Sequence, residues 1–87
     1  MPEPQHDEAL VNSFLERVSA LSVSAFDGAD VNQELTQLMN EAARACGGGG
    51  NLAVLTSRLK ARAEAAEREG QPQVRDTFQR AASLIKA

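Results

Sequence analysis

The sequence has few of the residues from which catalytic and metal sites are built. It contains one cysteine, one histidine and three phenylalanines, and it has no tryptophan or tyrosine. A single cysteine, Cys46, excludes an internal disulfide and a zinc site built from cysteine pairs. One unpaired cysteine is also typical of the reducing cytoplasm, where we expect this protein to reside.

The lone histidine, His6, lies beside Pro2 and Pro4 in a stretch where we predict no regular structure. A catalytic thiol at Cys46 would need a positioned histidine as its base, and a histidine metal site would need further ligands that converge on one ion. His6 meets neither requirement. We therefore expect no enzyme activity, no cofactor and no metal, and we predict that Cys46 is a small core residue.

Long hydrophobic runs are also missing from the sequence. A membrane-spanning helix needs about 18 or more consecutive apolar residues, so none is predicted. The amino-terminal stretch MPEPQHDEAL has no basic start followed by an apolar run, so we expect no secretory signal there. The sequence predicts no association with membranes.

Leucine and alanine dominate the apolar residues that are present. The chain of 87 residues has nine leucines and fifteen alanines against six valines, with 43% hydrophobic and 24% charged residues. Leucine, alanine, glutamate, arginine and glutamine form helices at low entropic cost, and this length suits a single domain. We predict a disordered lead-in over residues 1–6 and one helical domain over residues 7–87.

Capping residues and apolar spacing divide the domain into four helices. Asp7 is the predicted N-cap of the first helix. Near residues 22–27 we expect this helix to fray or to form a short 3₁₀ turn, and we expect it to end at Gly28. Asp30, with Gln33 three positions later, predicts a capping box at the start of the second helix. That helix is expected to end at Gly47.

Asn51 is the predicted N-cap of the third helix, which runs to Glu69 with Gly70 just after its end. Pro72 suits the first turn of the fourth helix, where its missing N–H has no effect. Four helices with short connections favour an all-α, four-helix up-and-down bundle. The fold would consist of two helical hairpins joined by a glycine-rich loop, with dimerisation left open.

The loop itself reads ACGGGGNL over residues 45–52. A phosphate-binding loop needs its glycines between a strand and a helix, with lysine and serine or threonine directly after them. Here a predicted helix comes before the glycines, and Asn51, Leu52 and Ala53 follow them. We interpret the loop as a hinge, because consecutive glycines tolerate the backbone angles that a chain reversal requires.

The first predicted helix has an apolar face that is unusually wide for a small bundle. One seam of apolar residues runs from Leu10 to Ala25, and a second runs beside it from Val11 to Phe26. A bundle helix needs only one broad apolar stripe. Either the remaining helices bury the second seam, or it is exposed and binds another protein or a second copy of this chain; we adopt the latter hypothesis. The predicted binding residues are Val11, Leu15, Val18 and Phe26.

Charge is distributed unevenly along the chain. Residues 1–51 contain eight acidic and two basic residues, whereas residues 52–87 contain four acidic and seven basic residues. Attraction between the two halves is the simplest interpretation. The alternative is that the basic half binds nucleic acid. Arg58, Lys60 and Arg62 do not share one helix face, and no aromatic residue accompanies them for stacking on bases, so this is the second hypothesis.

Overall fold

The structure, a computed structural model, describes residues 7–46 and 50–85 of the chain. These residues form four helices joined by short connections, and no strand occurs among them. The helices are α1 (Glu8–Phe26), α2 (Asn32–Ala45), α3 (Asn51–Arg68) and α4 (Pro72–Leu84). The predicted all-α four-helix bundle is confirmed. The predicted lead-in at residues 1–6 and the glycine hinge at residues 47–49 lie outside the described residues.

Polar contacts between helices show how they are arranged. The backbone N–H of Asp7 donates to Oδ1 of Asn51, which places the starts of α1 and α3 at the same end of the bundle. Near the other end, Nη1 of Arg75 at the start of α4 lies 3.8 Å from Oε1 of Glu67 at the end of α3. Arg17 of α1 also contacts Glu41 of α2, and the two residues are about equally far from the connection at residues 27–31, so α1 and α2 form an antiparallel hairpin.

The two helices at the centre of the bundle are α1 and α4. Each contacts the other three helices, whereas α2 and α3 scarcely meet. The core is a single apolar cluster to which all four helices contribute. Its largest fully buried side chains are Leu35, Met39, Leu55, Leu59, Val11, Val18 and Cys46.

Most of the predicted helix boundaries agree with the structure. Asp7 caps α1, where its Oδ1 accepts a hydrogen bond from the N–H of Leu10 at 3.2 Å. Gly28 and Gly70 follow the ends of α1 and α3 with φ angles of +100° and +72°, which glycine adopts without a steric penalty. Pro72 occupies the first turn of α4. Local sequence signals were sufficient at these positions.

Two predicted caps were wrong. The capping box at Asp30 and Gln33 is replaced by an N-cap at Val31 without a side-chain bond, while Oδ1 of Asp30 accepts from the N–H of Asn32 at 3.0 Å. Gly50, rather than Asn51, is the N-cap of α3. The side chain of Asn51 instead binds the backbone of Asp7, so a tertiary contact replaces the local one.

The 3₁₀ turn predicted as one alternative near residues 22–27 was also wrong, because α1 stays α-helical to Phe26. Fraying, the other alternative, stays a prediction. Ser22 is buried there, and its hydroxyl donates to the carbonyl oxygen of Ser19 at 2.6 Å. The backbone N–H groups of Asp27 and Gly28 donate to the carbonyls of Val23 and Ala25. Packing against the bundle thus overrides the weak helix propensity of this stretch.

Candidate functional site

The structure places three of the four predicted binding residues in the core. Val11 and Val18 are 0% exposed and Leu15 is 4% exposed. They are therefore not an accessible surface of this fold, which corrects the expectation from the sequence. Phe26, the fourth, is 55% exposed at the end of α1. Its role in binding a partner remains a prediction.

The position of α1 explains this correction. A helix on the outside of a bundle buries one stripe, but α1 contacts α2, α3 and α4. Both of its apolar seams are therefore needed to cover its neighbours. The wide face indicates a central helix and does not by itself require a partner.

Val23 and Phe26 form an apolar patch that the bundle leaves exposed. Val23 is 58% exposed, and these two are the only large hydrophobic side chains exposed in the described part of the chain. They lie three residues apart on α1, so they are neighbours on one face of the helix. The other two phenylalanines, Phe14 and Phe78, are each 3% exposed. We call this surface the Val23/Phe26 patch.

The sequence analysis missed Val23. It lies in the stretch SVSAF, where serine and alanine interrupt the apolar pattern, and it belongs to neither of the two seams. The signal that could have identified it is this mismatch, because a valine outside the apolar stripes of an amphipathic helix points to solvent.

A cleft of about 250 Å³ opens close to the patch, between the connection from α1 to α2 and the first turns of α4. Asp30, Asp76 and Arg80 are among its charged lining residues, and Ala25 and Ala29 form part of its apolar wall. Its volume is below the range of about 300–1,000 Å³ that is typical of small-molecule sites. The cleft is better suited to one or two side chains than to a cofactor.

A second, mostly apolar groove of about 480 Å³ runs along α3. Leu52, Ala53 and Ile85 supply its apolar wall, and Lys60 lies at its edge. Ile85 is the last residue that the structure describes. The hydroxyl of Thr56 in this groove already donates to the carbonyl of Leu52 at 2.9 Å. Its polar lining residues are Thr56, Ser57 and Lys60.

The fold gathers the negative charge at the end of the bundle that carries the patch. The helix halves and connections at this end, residues 18–38 and 60–78, contain seven acidic and four basic residues. The other described residues contain four acidic and four basic residues. The seven acidic residues are Asp27, Asp30, Glu34, Glu64, Glu67, Glu69 and Asp76. Acidic residues thus outnumber basic ones at the end that carries the patch, although Arg80, just beyond these ranges, lines the cleft with Asp30 and Asp76.

Two arginine–carboxylate pairs hold α1 to its neighbours away from the patch. Arg17 donates through two nitrogens to Glu41 of α2, at 3.1 and 3.2 Å, and its guanidinium lies 5.3 Å from the ring centre of Phe14. This hydrogen bond and the charge of Arg17 hold the pKa of Glu41 below its ordinary value. These contacts hold α1 against α2.

The second pair involves α3. Arg58 donates to both carboxylate oxygens of Glu8, at 2.8 and 3.0 Å, and to Oδ1 of Asn12 at 3.0 Å. The hydrogen bond that Arg58 donates to Glu8 raises the pKa of Arg58 above its ordinary value. This pair fixes the first turns of α1 against α3.

Cys46 lies in the core as predicted, with 1% of its surface exposed. Burial raises the pKa of its thiol, and the charge of Asp7 acts in the same direction. A raised pKa keeps the thiol protonated and therefore poorly nucleophilic. Its environment is that of a packing residue.

No protein-family model, curated protein or solved structure matches this chain. Within residues 7–46 and 50–85, no three His, Cys, Asp or Glu side chains come together where they could hold a metal ion. None of the four described helices is long and apolar enough to cross a membrane.

Proposed function

We propose that this protein is a non-catalytic interaction module that binds another protein through the Val23/Phe26 patch. The observation that supports the proposal is the exposure of the patch: Phe26 is 55% exposed, while Phe14 and Phe78 are each 3% exposed. A chain with only three phenylalanines leaves one of them in water, next to an exposed valine. Exposed aromatic side chains of this kind are typical anchors of protein interfaces.

The patch is large enough to serve as an anchor. Aromatic side chains bury about 150–250 Å² each, so the 55% of Phe26 that is exposed corresponds to about 110 Å². At about 25 cal/mol per Å², covering this area contributes at most about 3 kcal/mol, from which the cost of ordering the interface is subtracted. Val23 adds a smaller amount. Other contacts would complete the interface around this anchor.

The role that we propose is that of a small regulator or adaptor. We infer from the single unpaired cysteine that the protein acts in the cytoplasm. The bundle positions α1 from both sides through Arg17 and Arg58, so the patch lies at the end of a well-supported helix. A rigid support reduces the entropy lost on binding. A second copy of the chain is the other partner that the sequence analysis considered.

Nucleic-acid binding through the basic half stays the alternative hypothesis. In the structure, Arg58 is paired with Glu8, and Arg75 contacts Glu67 and Asp76. Basic side chains that already have acidic partners release fewer counterions on contact with phosphates. A titration with duplex and single-stranded DNA at physiological salt tests this alternative, and a flat titration contradicts it.

Comparative capture from cell extract tests the proposed function. The baits are the wild-type chain, the double variant Val23→Ser/Phe26→Ser and the control Ala61→Ser, which alters an exposed residue of α3. We expect at least one protein to be retained by the wild type and the control and lost by the double variant. That protein should then bind the purified wild-type chain directly. Identical retention by all three baits would contradict the proposal.

A further inference from the structure

The surroundings of the Val23/Phe26 patch indicate what kind of segment binds there. Asp27 follows Phe26 directly, Asp30 lies three residues further on, and both are exposed. No basic residue occurs in the last turn of α1 to offset them. We infer that the patch binds a basic segment of another protein, in which an apolar side chain is flanked by lysine or arginine. This inference rests on the proposed function and adds the chemistry of the partner.

The location of Asp27 supports this inference. Asp27 is the C-cap residue of α1, where the carbonyl end of the helix carries partial negative charge. A carboxylate at this position is unfavourable for the helix itself. In the part of the chain that the structure describes, no arginine or lysine contacts Asp27 to relieve it. A basic side chain of a partner would meet the carboxylate and the helix end together.

The wider charge distribution agrees with this local picture. Residues 18–38 and 60–78, at the same end of the bundle, hold seven acidic against four basic residues. Of these four, Arg75 is already shared between Glu67 and Asp76. Arg80, just beyond these ranges, lines the cleft with Asp30 and Asp76. The field around the patch therefore attracts a positively charged segment and speeds its encounter with the surface.

The same charges disfavour a second copy of this chain as the occupant. A two-fold symmetric dimer brings the same surface of both subunits together. Here it would place Asp27 and Asp30 of one subunit near the same carboxylates of the other. Like charges at an interface are repulsive, whereas lysine or arginine beside an apolar anchor complements the patch.

Selection from a random peptide library displayed on phage tests the inference. The library is panned against the full chain and then depleted on Phe26→Ser, which keeps only peptides that need Phe26. We expect these peptides to combine a large apolar residue with flanking lysine or arginine. One of them is then synthesised, and its affinity is measured by calorimetry at ionic strengths from about 0.05 M to about 0.5 M, where screening becomes strong.

The affinities distinguish the apolar and the charged contributions. We expect Phe26→Ser to weaken binding by about tenfold or more and Asp27→Asn by about two- to fivefold, as for other exposed ion pairs. Affinity should fall as salt is raised. The matched control is Glu16→Gln, an exposed carboxylate about 16 Å from Asp27 along α1. This control should leave the affinity unchanged.

Three results would overturn the inference. Peptides that need Phe26 but show no basic preference would refute the charge argument and leave the proposed function standing. A dimer in sedimentation that dissociates on Phe26→Ser would identify a second copy as the occupant. The absence of both peptides and dimer would refute the inference and the proposed function together.

Discussion

At the scale of single residues, three phenylalanines illustrate how the same side chain takes different roles. Phe14 and Phe78 are 3% exposed and belong to the core, while Phe26 is 55% exposed. Phe14 also carries the guanidinium of Arg17 over its ring. Burial, rather than residue type, decides whether a phenylalanine contributes to folding or is available for a partner.

Substitution of these phenylalanines should separate stability from binding. We expect Phe14→Ala to lower the free energy of unfolding by about 3–5 kcal/mol, because it leaves a cavity in the core. Phe26→Ser should change it by about 0.5 kcal/mol or less, as is usual for exposed positions. Urea unfolding followed by far-ultraviolet circular dichroism measures both. A large loss of stability in Phe26→Ser would show that this side chain has a structural role.

The charge of Asp27 should reduce the stability of the free protein. Removing a carboxylate from the negative end of a helix is favourable, so Asp27→Asn should raise the free energy of unfolding by about 0.3–1 kcal/mol at low salt. Glu34 provides the opposite case, because it lies in the first turn of α2, where a negative charge is favourable. Glu34→Gln should therefore lower stability. Thermal unfolding of both variants measures the two changes in stability. A change in the same direction for both variants would contradict the argument from the helix dipole.

At the scale of the helices, two arginine–carboxylate pairs hold α1, one to α2 and the other to α3. Arg17 reaches across to Glu41 on α2, and Arg58 reaches from α3 to Glu8 and Asn12. Both pairs are exposed, so their net contribution is modest and depends on salt. They fix how α1 is oriented in the bundle, while the buried apolar side chains supply most of the stability.

The pair between Arg17 and Glu41 should make stability depend on pH in the acidic range. The pKa of Glu41 is lowered in the folded state from its ordinary value of 4.5 by the hydrogen bond and charge of Arg17. A lowered pKa means that the stabilisation is present above pH 4.5 and is lost as the pH falls through the folded-state pKa. Glu41→Gln should therefore be less stable than the wild type at neutral pH and equally stable in strong acid.

The control for this experiment is Glu16→Gln. Glu16 is an exposed carboxylate on α1, and no side chain of the described residues pairs with it. Its substitution should leave the difference from the wild type constant across the acidic range. A pH profile of unfolding by denaturant measures both variants. A flat difference for Glu41→Gln would show that the contact with Arg17 does not persist in solution.

At the scale of the whole molecule, the four helices are not equivalent. The central helices, α1 and α4, contact all the others, while α2 and α3 each pack mainly against these two, α2 less extensively than α3. The core residues of α2, such as Leu35 and Met39, are fully buried, so α2 is part of the fold. Because it packs less extensively than the other three helices, we expect α2 to open locally before they separate.

Hydrogen exchange should report this difference. Backbone amides in the middle of α1 and α4 should exchange most slowly, because they open only on global unfolding. Amides in the middle of α2 should exchange faster through local opening. Measurement by nuclear magnetic resonance or mass spectrometry at neutral pH resolves the helices. Equal protection of α2 and α1 would indicate a bundle that opens only as a unit.

Local sequence signals predicted the helices of this protein well. Asp7, Gly28, Gly70 and Pro72 mark helix ends because their effect depends on neighbouring backbone groups. The predictions failed where a distant contact replaced a local one, as when the side chain of Asn51 bound Asp7. Boundaries set by short-range forces can be predicted from the sequence, and those altered by packing cannot.

The sequence by itself determined the helix content, the number of helices and the residues able to form a core, because these follow from composition and apolar spacing. Only the tertiary structure decided that Val11, Leu15 and Val18 are buried and that Val23 and Phe26 are exposed. It also decided how charged residues are distributed over the surface, because the chain reversals between helices place both halves of the sequence at each end of the bundle. The reason is physical: exposure and local charge depend on which helices pack on each face, and that choice is made by all the contacts of the bundle together.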